Sequence, residues 1–358
     1  MSQRMVDQFL EMVRIDSESG NEARIMQYLL GAVREAGGEA ALDAYGNLIG
    51  KFPERGCKGK APLLLSCHGD TVKPGVGIEP VVKDGVIRSN GKTILGADDK
   101  AGIAEVLETM RTAQVRPPID FAVSRQEEVG LHGVKNLDFS RLAARRGILM
   151  DNDTLDTIVI GGPSYFAIDV EITGRSAHAG MEPEKGINAI QAAAKAIAAL
   201  ELGRLDPLTT ANVGVIEGGL IRNGVPDRTK FLAECRSADH EKGVALAARM
   251  AQTIREQGAA NGATVKVEVN NLCRAVRIPE DSWTVKLAKR GLAEVGVQAK
   301  CVFITGFTDA SIYNNQGIEM AVVGIGAQGE HTTEECVAIA DMEKAVRALT
   351  AMLRFAAE

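Results

Sequence analysis

Five short segments of this 358-residue chain concentrate side chains that bind metals and move protons. Imidazole and carboxylate ligands without thiolates are typical of hydrolytic Zn, Mn or Co sites. Two histidines and three carboxylates suffice for a pair of divalent ions that share one carboxylate. Such a pair can polarise a carbonyl group and activate water. The segments carry His68 with Asp70, Asp98 with Asp99, Glu127 with Glu128, Asp151, and His331.

Two acids are left over from that ligand count. Asp70, beside His68, is suited to accept a hydrogen bond from a ligating imidazole and so to orient it. Glu127, beside Glu128, is suited to act as a general base. Each segment alone has a simpler explanation, because an acidic pair on a turn is usually solvated and acids before a helix can simply cap it. Their joint placement is what favours one common site.

The segments lie next to predicted secondary structure. Four follow apolar runs that predict buried strands, at 62–67, 119–124, 147–150 and 319–324, and the fifth opens a predicted helix over 100–112. This alternation predicts an α/β domain with a mostly parallel sheet. Ligands of such sheets bind outside the carboxyl ends of the strands, so the segments can converge on one crevice. The first 40 residues predict two helices, the second opened by a capping box of Ser19 and Glu22.

Residues 163–272 follow a different pattern. Strands are predicted at 165–173, 210–217, 228–237 and 263–270, with helices at 187–200 and 241–257. The order β-α-β-β-α-β is that of a ferredoxin-like unit. Helix and strand alternate again afterwards, at 282–294, 299–304, 308–315, 319–324 and 341–356. We therefore expect a discontinuous domain over 1–162 and 273–358, with a smaller domain inserted at 163–272.

Composition excludes several classes of protein. Hydrophobic residues make up 45% and charged residues 25%, which excludes a disordered chain. The net charge of -6 is opposite in sign to the basic surface with which proteins bind nucleic acids. No apolar run is long enough to predict a membrane span. The six cysteines form no C-x-x-C pair and are expected to be reduced thiols in a cytoplasmic protein. No G-x-G-x-x-G segment opens a helix after an early strand, which argues against a nucleotide-binding oxidoreductase.

Six ordered motifs resemble those of the cocatalytic zinc peptidase superfamily. They are SCHGDTV, ILGADDKAGIAE, RQEEVGLHG, LMDND, GRSAHAGMEPEKGINAI and GEHTTEE. The superfamily contains peptidase T, carboxypeptidase G, acetylornithine deacetylase, succinyl-diaminopimelate desuccinylase and the aminoacylases. ADDKAGIAE and EEVGLHG are most similar to the peptidase T branch. The resemblance implies a zinc exopeptidase-like catalytic domain and an inserted ferredoxin-like domain that serves as a lid and pairs two chains into a homodimer.

The same resemblance implies a role for each motif residue. The ligands of two divalent ions, zinc first and manganese or cobalt otherwise, would be His68, Asp98, Glu128, Asp151 and His331. Asp98 would bridge the ions through a carboxylate that precedes a cis peptide bond, Asp70 would orient His68, and Glu127 would be the general base. His178 matches a histidine that holds the substrate carbonyl, and Arg236 lies where the family has a substrate-binding arginine.

These residues predict hydrolysis of an amide bond in a small peptide, as in a peptidase T-like aminopeptidase. An N-acyl amino acid deacylase or a carboxypeptidase would share the metal set and stays an alternative. A non-catalytic binding protein on the same fold would be expected to lack Glu127 or a ligand, and all are present. Peptidase T itself has an Arg-Gly-Gly-Thr-Asp segment whose arginine binds the peptide carboxylate. Thr305 stands at that position here, and a neutral hydroxyl cannot form a bidentate carboxylate pair.

Overall fold

A computed structural model describes residues 3–358 of the chain. The helices are α1 (Gln3–Val13), α2 (Ala23–Glu35), α3 (Ala97–Thr112), α4 (His132–Lys135), α5 (Ala189–Ala198), α6 (His240–Ala260), α7 (Trp283–Glu294), α8 (Ala310–Asn315) and α9 (Ile339–Ala356). The first ten strands are β1 (Glu39–Leu42), β2 (Leu48–Phe52), β3 (Leu63–His68), β4 (Val81–Lys83), β5 (Val86–Arg88), β6 (Ile119–Ser124), β7 (Arg146–Asn152), β8 (Thr157–Val159), β9 (Gly161–Gly162) and β10 (Ser164–Thr173). The remaining strands are β11 (Ala177–His178), β12 (Gly203–Asp206), β13 (Thr209–Gly218), β14 (Gly224–Val225), β15 (Arg228–Ser237), β16 (Thr264–Cys273), β17 (Val276–Arg277), β18 (Lys300–Val302), β19 (Glu319–Gly324), β20 (Ala327–Gln328) and β21 (Cys336–Ala338).

The chain divides into two compact units. The first runs to Gly161 and continues over Arg277–Phe303 and Thr308–Glu358, and the second comprises Gly162–Val276 and Ile304–Phe307. Within residues 3–358, every helix is too short or too polar to span a bilayer.

An eight-stranded mixed sheet forms the centre of the first unit, in the order β1-β2-β6-β3-β7-β19-β8-β18. The four strands β6, β3, β7 and β19 are neighbours and run parallel. Every residue of β3 and β6 is buried, as expected for strands covered by helices on both faces, which explains their mostly apolar sequences. The predicted mixed, mostly parallel sheet is confirmed, and its parallel centre is the part that carries the site.

The helix α3 crosses the core of this unit. It contacts α1, α9, β3 and β7, and its buried positions surround the whole helix rather than one stripe. It begins at Ala97, three residues before the predicted start, after Gly96 in the left-handed region with a φ of 72°. The helix therefore fixes the Asp98-Asp99 pair against the sheet.

The second unit is a five-stranded antiparallel sheet in the order β12-β13-β15-β10-β16, packed against α5 and α6. Alternate residues of β10 are buried on the helix side, from Phe166 to Ile172. The predicted β-α-β-β-α-β order is confirmed. The short edge strand β12 was not predicted from the sequence, since its four residues carry no alternating pattern.

The expected capping box of Ser19 and Glu22 is wrong. Helix α2 begins after Glu22, whose backbone is already helical, and no side chain caps the first turn. The Ser19 hydroxyl instead donates to Asp70 Oδ2 at 2.7 Å, and the Glu22 carboxylate accepts from Arg125 and from the Gly20 amide. Stronger partners distant in sequence thus replace the local cap.

Replacement of Gly102 by Ala is expected to destabilise the first unit, because its Cβ would collide with Asp99 Oδ1 and lie 2.7 Å from the Met150 carbonyl oxygen. Overpacking of this kind costs roughly 1–3 kcal/mol of unfolding free energy. Gly31 lies in α2, and among residues 3–358 nothing beyond its own helix backbone and chain neighbours lies within 4 Å of the position of an added Cβ. Gly31→Ala is therefore the matched control and should be neutral or stabilising. Urea unfolding measures both, and equal midpoints for the two variants would contradict the prediction.

Candidate metal and catalytic site

The segments that carry the predicted ligands and acids come together at the carboxyl ends of the parallel strands. His68 is the last residue of β3 and is in register with Ser124, the last residue of β6. Asp151 lies near the end of β7, and the loop after β6 carries Glu127 and Glu128. Side chains far apart in sequence thus reach a single cluster at this edge. The cluster also receives Asp98 from the start of α3 and His331 from the loop after β20.

The carboxylate of Asp98 lies at the centre of this cluster. Its Oδ1 is 2.9 Å from His68 Nε2, and its Oδ2 is 3.2 Å from His331 Nε2. On the first side, His68 Nε2 is also 3.5 Å from Asp151 Oδ1, and on the second, His331 Nε2 is 3.1 Å from Glu128 Oε1. Two groups of ligand-type atoms therefore share Asp98, and the Asp98–Asp99 peptide bond is cis.

The donors in this cluster fit divalent cations. Ligand atoms of His68, Asp98 and Glu128 lie within 4.8 Å of one another, and so do those of His68, Asp99 and Asp151. Buried Oδ2 of Asp151 and Oδ1 of Asp99 have no hydrogen-bond partner among residues 3–358. Burial raises the pKa of Asp151 to about 6. Unpartnered buried carboxylates beside imidazole nitrogens are the environment that a bound cation neutralises.

Asp70 organises both the histidine and the loop after β6. The His68 Nδ1 atom is 3.0 Å from the Asp70 backbone carbonyl oxygen and 3.5 Å from its carboxylate. The carboxylate accepts hydrogen bonds from the amides of Glu127 and Glu128, at 2.9 and 3.2 Å, and from Ser19. Asp70 therefore positions the Glu127-Glu128 pair as well as the imidazole, a role that the sequence did not predict.

Glu127 lies in the cluster with only 6% of its surface exposed. Burial, followed by the charge of Asp151, raises the pKa of Glu127 well above its usual range. Glu127 is thus a buried acid of the cluster, next in sequence to Glu128.

Further buried acids surround the cluster and were not assigned from the sequence. Asp99 Oδ2 accepts from the His68 amide at 3.0 Å. Asp309 is fully buried, accepts from the Ser124 hydroxyl, and burial raises its pKa to about 7. Glu335 accepts from three backbone amides of the loop that leads into α3. Asp99 and Glu335 lie inside the motifs that carry Asp98 and His331, whereas Asp309 lies outside all six motifs.

His178 belongs to the second unit, on β11, which pairs with β14. Its side chain is exposed, and its Nδ1 accepts from the amides of Gly180 and Met181 at 3.2 and 3.1 Å. Because Nδ1 is an acceptor in both contacts, the proton of the neutral ring is assigned to Nε2. His178 thus presents an N–H donor from a turn that fixes the ring.

Arg236 also belongs to the second unit, and its charge is already paired. Its guanidinium donates to the Glu234 carboxylate, the shortest contact being 2.9 Å, and to the Thr305 carbonyl oxygen at 3.2 Å. It also lies over the rings of Tyr165 and Phe307, at 4.7 and 5.3 Å from their centroids. Arg236 therefore anchors the segment 304–307, which contains the residue that replaces the peptidase T arginine.

Two family models match parts of the chain. A peptidase dimerisation domain matches residues 163–261, and peptidase family M28 matches residues 47–195. The uncharacterized protein YqjE of Bacillus subtilis strain 168 is 35% identical over 368 residues, which cover 99% of each chain. The crystal structure of aminopeptidase PepT from Bacillus cereus ATCC 10987 has 36% identity and a TM-score of 0.89, and covers 99% of each chain. That of a tripeptidase from Staphylococcus aureus Mu50 has 33% identity and a TM-score of 0.93, and covers 99% of this chain and 98% of the other.

The fold and the shared-carboxylate cluster define a metal-dependent hydrolase built on a mixed α/β sheet. With the similarities above, the chain belongs to the M20 family of metallopeptidases, in its peptidase T-like branch.

Proposed function

We propose that this protein is a dinuclear, zinc-dependent aminopeptidase that removes the N-terminal residue of short peptides. The observation that carries the proposal is the placement of Asp98 between two groups of ligand atoms, with buried Glu127 in the same cluster. The similarity to the structures of an aminopeptidase and a tripeptidase supports the substrate class.

In this proposal His68, Asp98 and Asp151 hold one cation, and Asp98, Glu128 and His331 hold the other. Bound divalent cations would supply Lewis acidity for the peptide carbonyl and lower the pKa of water. Imidazole and carboxylate ligands suit zinc first and manganese or cobalt otherwise.

The remaining steps belong to side chains of the protein. Glu127 accepts a proton from the attacking water at a carboxylate oxygen and delivers it to the amine nitrogen that leaves. His178 donates from Nε2 to the carbonyl oxygen of the substrate as negative charge develops there. Asp70 keeps the His68 ring and the Glu127 backbone in place through the contacts described above.

Thr305 bears on how the far end of the peptide is recognised. A hydroxyl at this position offers no charge to a terminal carboxylate, and Arg236 is paired with Glu234. We therefore expect the enzyme to depend on the free amino terminus of a peptide more than on its free carboxylate. A substrate contact by Arg236 stays a prediction.

A hydrolysis panel tests this proposal. The metal-free protein, loaded with Zn²⁺, Mn²⁺ or Co²⁺, is given trialanine, trialanine amide, N-acetyltrialanine and N-acetylalanine. Trialanine and its amide should be cleaved at kcat/KM values within about tenfold of each other, the range expected when no buried charge pair is lost. N-acetyltrialanine should not be cleaved. Preferential cleavage of N-acetylalanine would instead support the deacylase alternative, and no hydrolysis with any metal would contradict the proposal.

The inserted domain completes the proposal. We propose that residues 163–272 form a lid and a homodimer surface, and that residues 1–162 and 273–358 form the catalytic domain. The match of residues 163–261 to a peptidase dimerisation domain supports the pairing. The cytoplasmic location stays a prediction from the sequence.

A further inference from the structure

Of the three ligands of the second group, Glu128 comes from the loop after β6. The other two come from two further loops of the first unit, one that leads into the first turn of α3 and presents Asp98, and one that follows β20 and carries His331. A buried carboxylate, Glu335, joins them. Only 1% of the surface of Glu335 is exposed, although it lies four residues after an exposed histidine.

The Glu335 carboxylate is occupied by the backbone of the Asp98 loop. Its Oε2 accepts from the amides of Leu95 and Gly96, both at 2.7 Å, and its Oε1 accepts from the Asp98 amide at 3.1 Å. Hydrogen bonds to an ionised carboxylate are shorter and stronger than neutral ones. A single side chain therefore fixes the backbone from Leu95 to Asp98, the segment that presents the Asp98 carboxylate.

The backbone of Glu335 is equally tied to the turn that presents His331. The Glu335 amide donates to the Thr332 carbonyl oxygen at 3.2 Å, and the Thr332 hydroxyl donates to the Gly329 carbonyl oxygen at 2.7 Å. His331 lies inside this turn with a φ of 62°, a conformation that few side chains adopt without such support. The separation of the two loops is thus set through Glu335.

Although both groups share Asp98, separate contacts hold His68, the histidine of the first group. The His68 amide donates to Asp99, and His68 Nδ1 contacts the Asp70 carbonyl oxygen. A change at Glu335 should therefore disturb the two groups unequally.

We propose that Glu335 is a positioning residue that holds His331 at the correct distance from Asp98 and so selectively sets the affinity of the cation bound by Asp98, Glu128 and His331. This inference rests on the dinuclear site of the proposed function.

The chemistry of glutamine makes Glu335→Gln a sharp test. Glutamine has the same shape, but its amide nitrogen can only donate, so it meets a backbone N–H with another donor. At least one of the three hydrogen bonds is then lost, whichever way the amide is oriented. Glu334 is the matched control, because it is the adjacent glutamate and is exposed.

The experiment titrates metal-free full-length protein with Co²⁺, followed by calorimetry and by visible absorption. The wild type should bind two equivalents. Glu335→Gln should bind one equivalent as the wild type does and the other about 10- to 100-fold more weakly, as for other residues that support metal ligands. Glu334→Gln should match the wild type, and His331→Ala identifies which equivalent belongs to the second group.

The outcomes separate the inference from the proposed function. Two wild-type affinities in Glu335→Gln, or equal weakening of both, would overturn the positioning role. Failure of the wild type to bind Co²⁺ would overturn the proposed function itself. If Glu335→Gln does not fold, Glu335→Asp replaces it in the test. Aspartate keeps the charge but retracts the carboxylate by one methylene group, so this variant must show the same unequal weakening of the two metal affinities. Two unchanged affinities in Glu335→Asp would overturn the inference.

Discussion

Replacement of Glu127 by Gln should lower kcat by about 10²–10⁴-fold, the usual contribution of a general acid–base group, while both cations still bind. The amide of glutamine occupies the same volume but cannot accept a proton from water. Burial and the surrounding acids raise the pKa of Glu127, and positive charge bound in the cluster would lower it again, so that the carboxylate is ionised when it acts.

The neighbouring Glu128 provides the matched control for this experiment. Glu128→Gln makes the same chemical change one residue away, at a side chain whose Oε1 lies 3.1 Å from His331 Nε2. That variant should lose metal as well as activity. Trialanine hydrolysis gives kcat, and elemental analysis of the dialysed proteins gives metal content. Equal loss of metal in the two variants would show that the roles of Glu127 and Glu128 are wrongly divided.

The parts of the fold that carry the site were predictable because they have strong patterns. The strands β3 and β6 have mostly apolar sequences, and β10 alternates over ten residues. By contrast, β4, β5, β20 and β21 have only two or three residues each, which is too short for any period to show. These short strands form a separate four-stranded sheet that sequence reasoning missed.

The chemical side chains were predictable as types, and so was Asp70 as a partner of His68, but the contacts that hold the surrounding backbone were not. A histidine or carboxylate at the end of a strand can be recognised as a candidate site residue from its residue type alone. The contacts of Glu335 and of the Asp70 carboxylate are largely with backbone amides, which any residue provides, so no sequence signal marks the partner. The failed capping box has the same origin, because Ser19 has the right local spacing but bonds to Asp70. Where the local sequence permits several conformations, contacts between residues distant in sequence select the one that forms.

Replacement of His178 by Ala should lower kcat by about 10²–10³-fold without changing Co²⁺ affinity, because one hydrogen-bond donor to the developing oxyanion is removed. The two nitrogens of this ring have different tasks. Nδ1 accepts from the amides of Gly180 and Met181 and so holds the turn, which leaves Nε2 as the donor to substrate.

Two further variants of His178 separate these tasks. Asparagine can place an acceptor near the position of Nδ1 but has no donor at the position of Nε2, whereas glutamine can place an N–H near Nε2. We therefore expect His178→Gln to retain more activity than His178→Asn, although asparagine preserves the turn better. Trialanine hydrolysis gives kcat and KM for each variant, and Co²⁺ titration shows that the metal cluster is intact. A wild-type kcat in His178→Ala, or more activity in the asparagine variant than in the glutamine variant, would mean that this histidine serves only to hold its own turn.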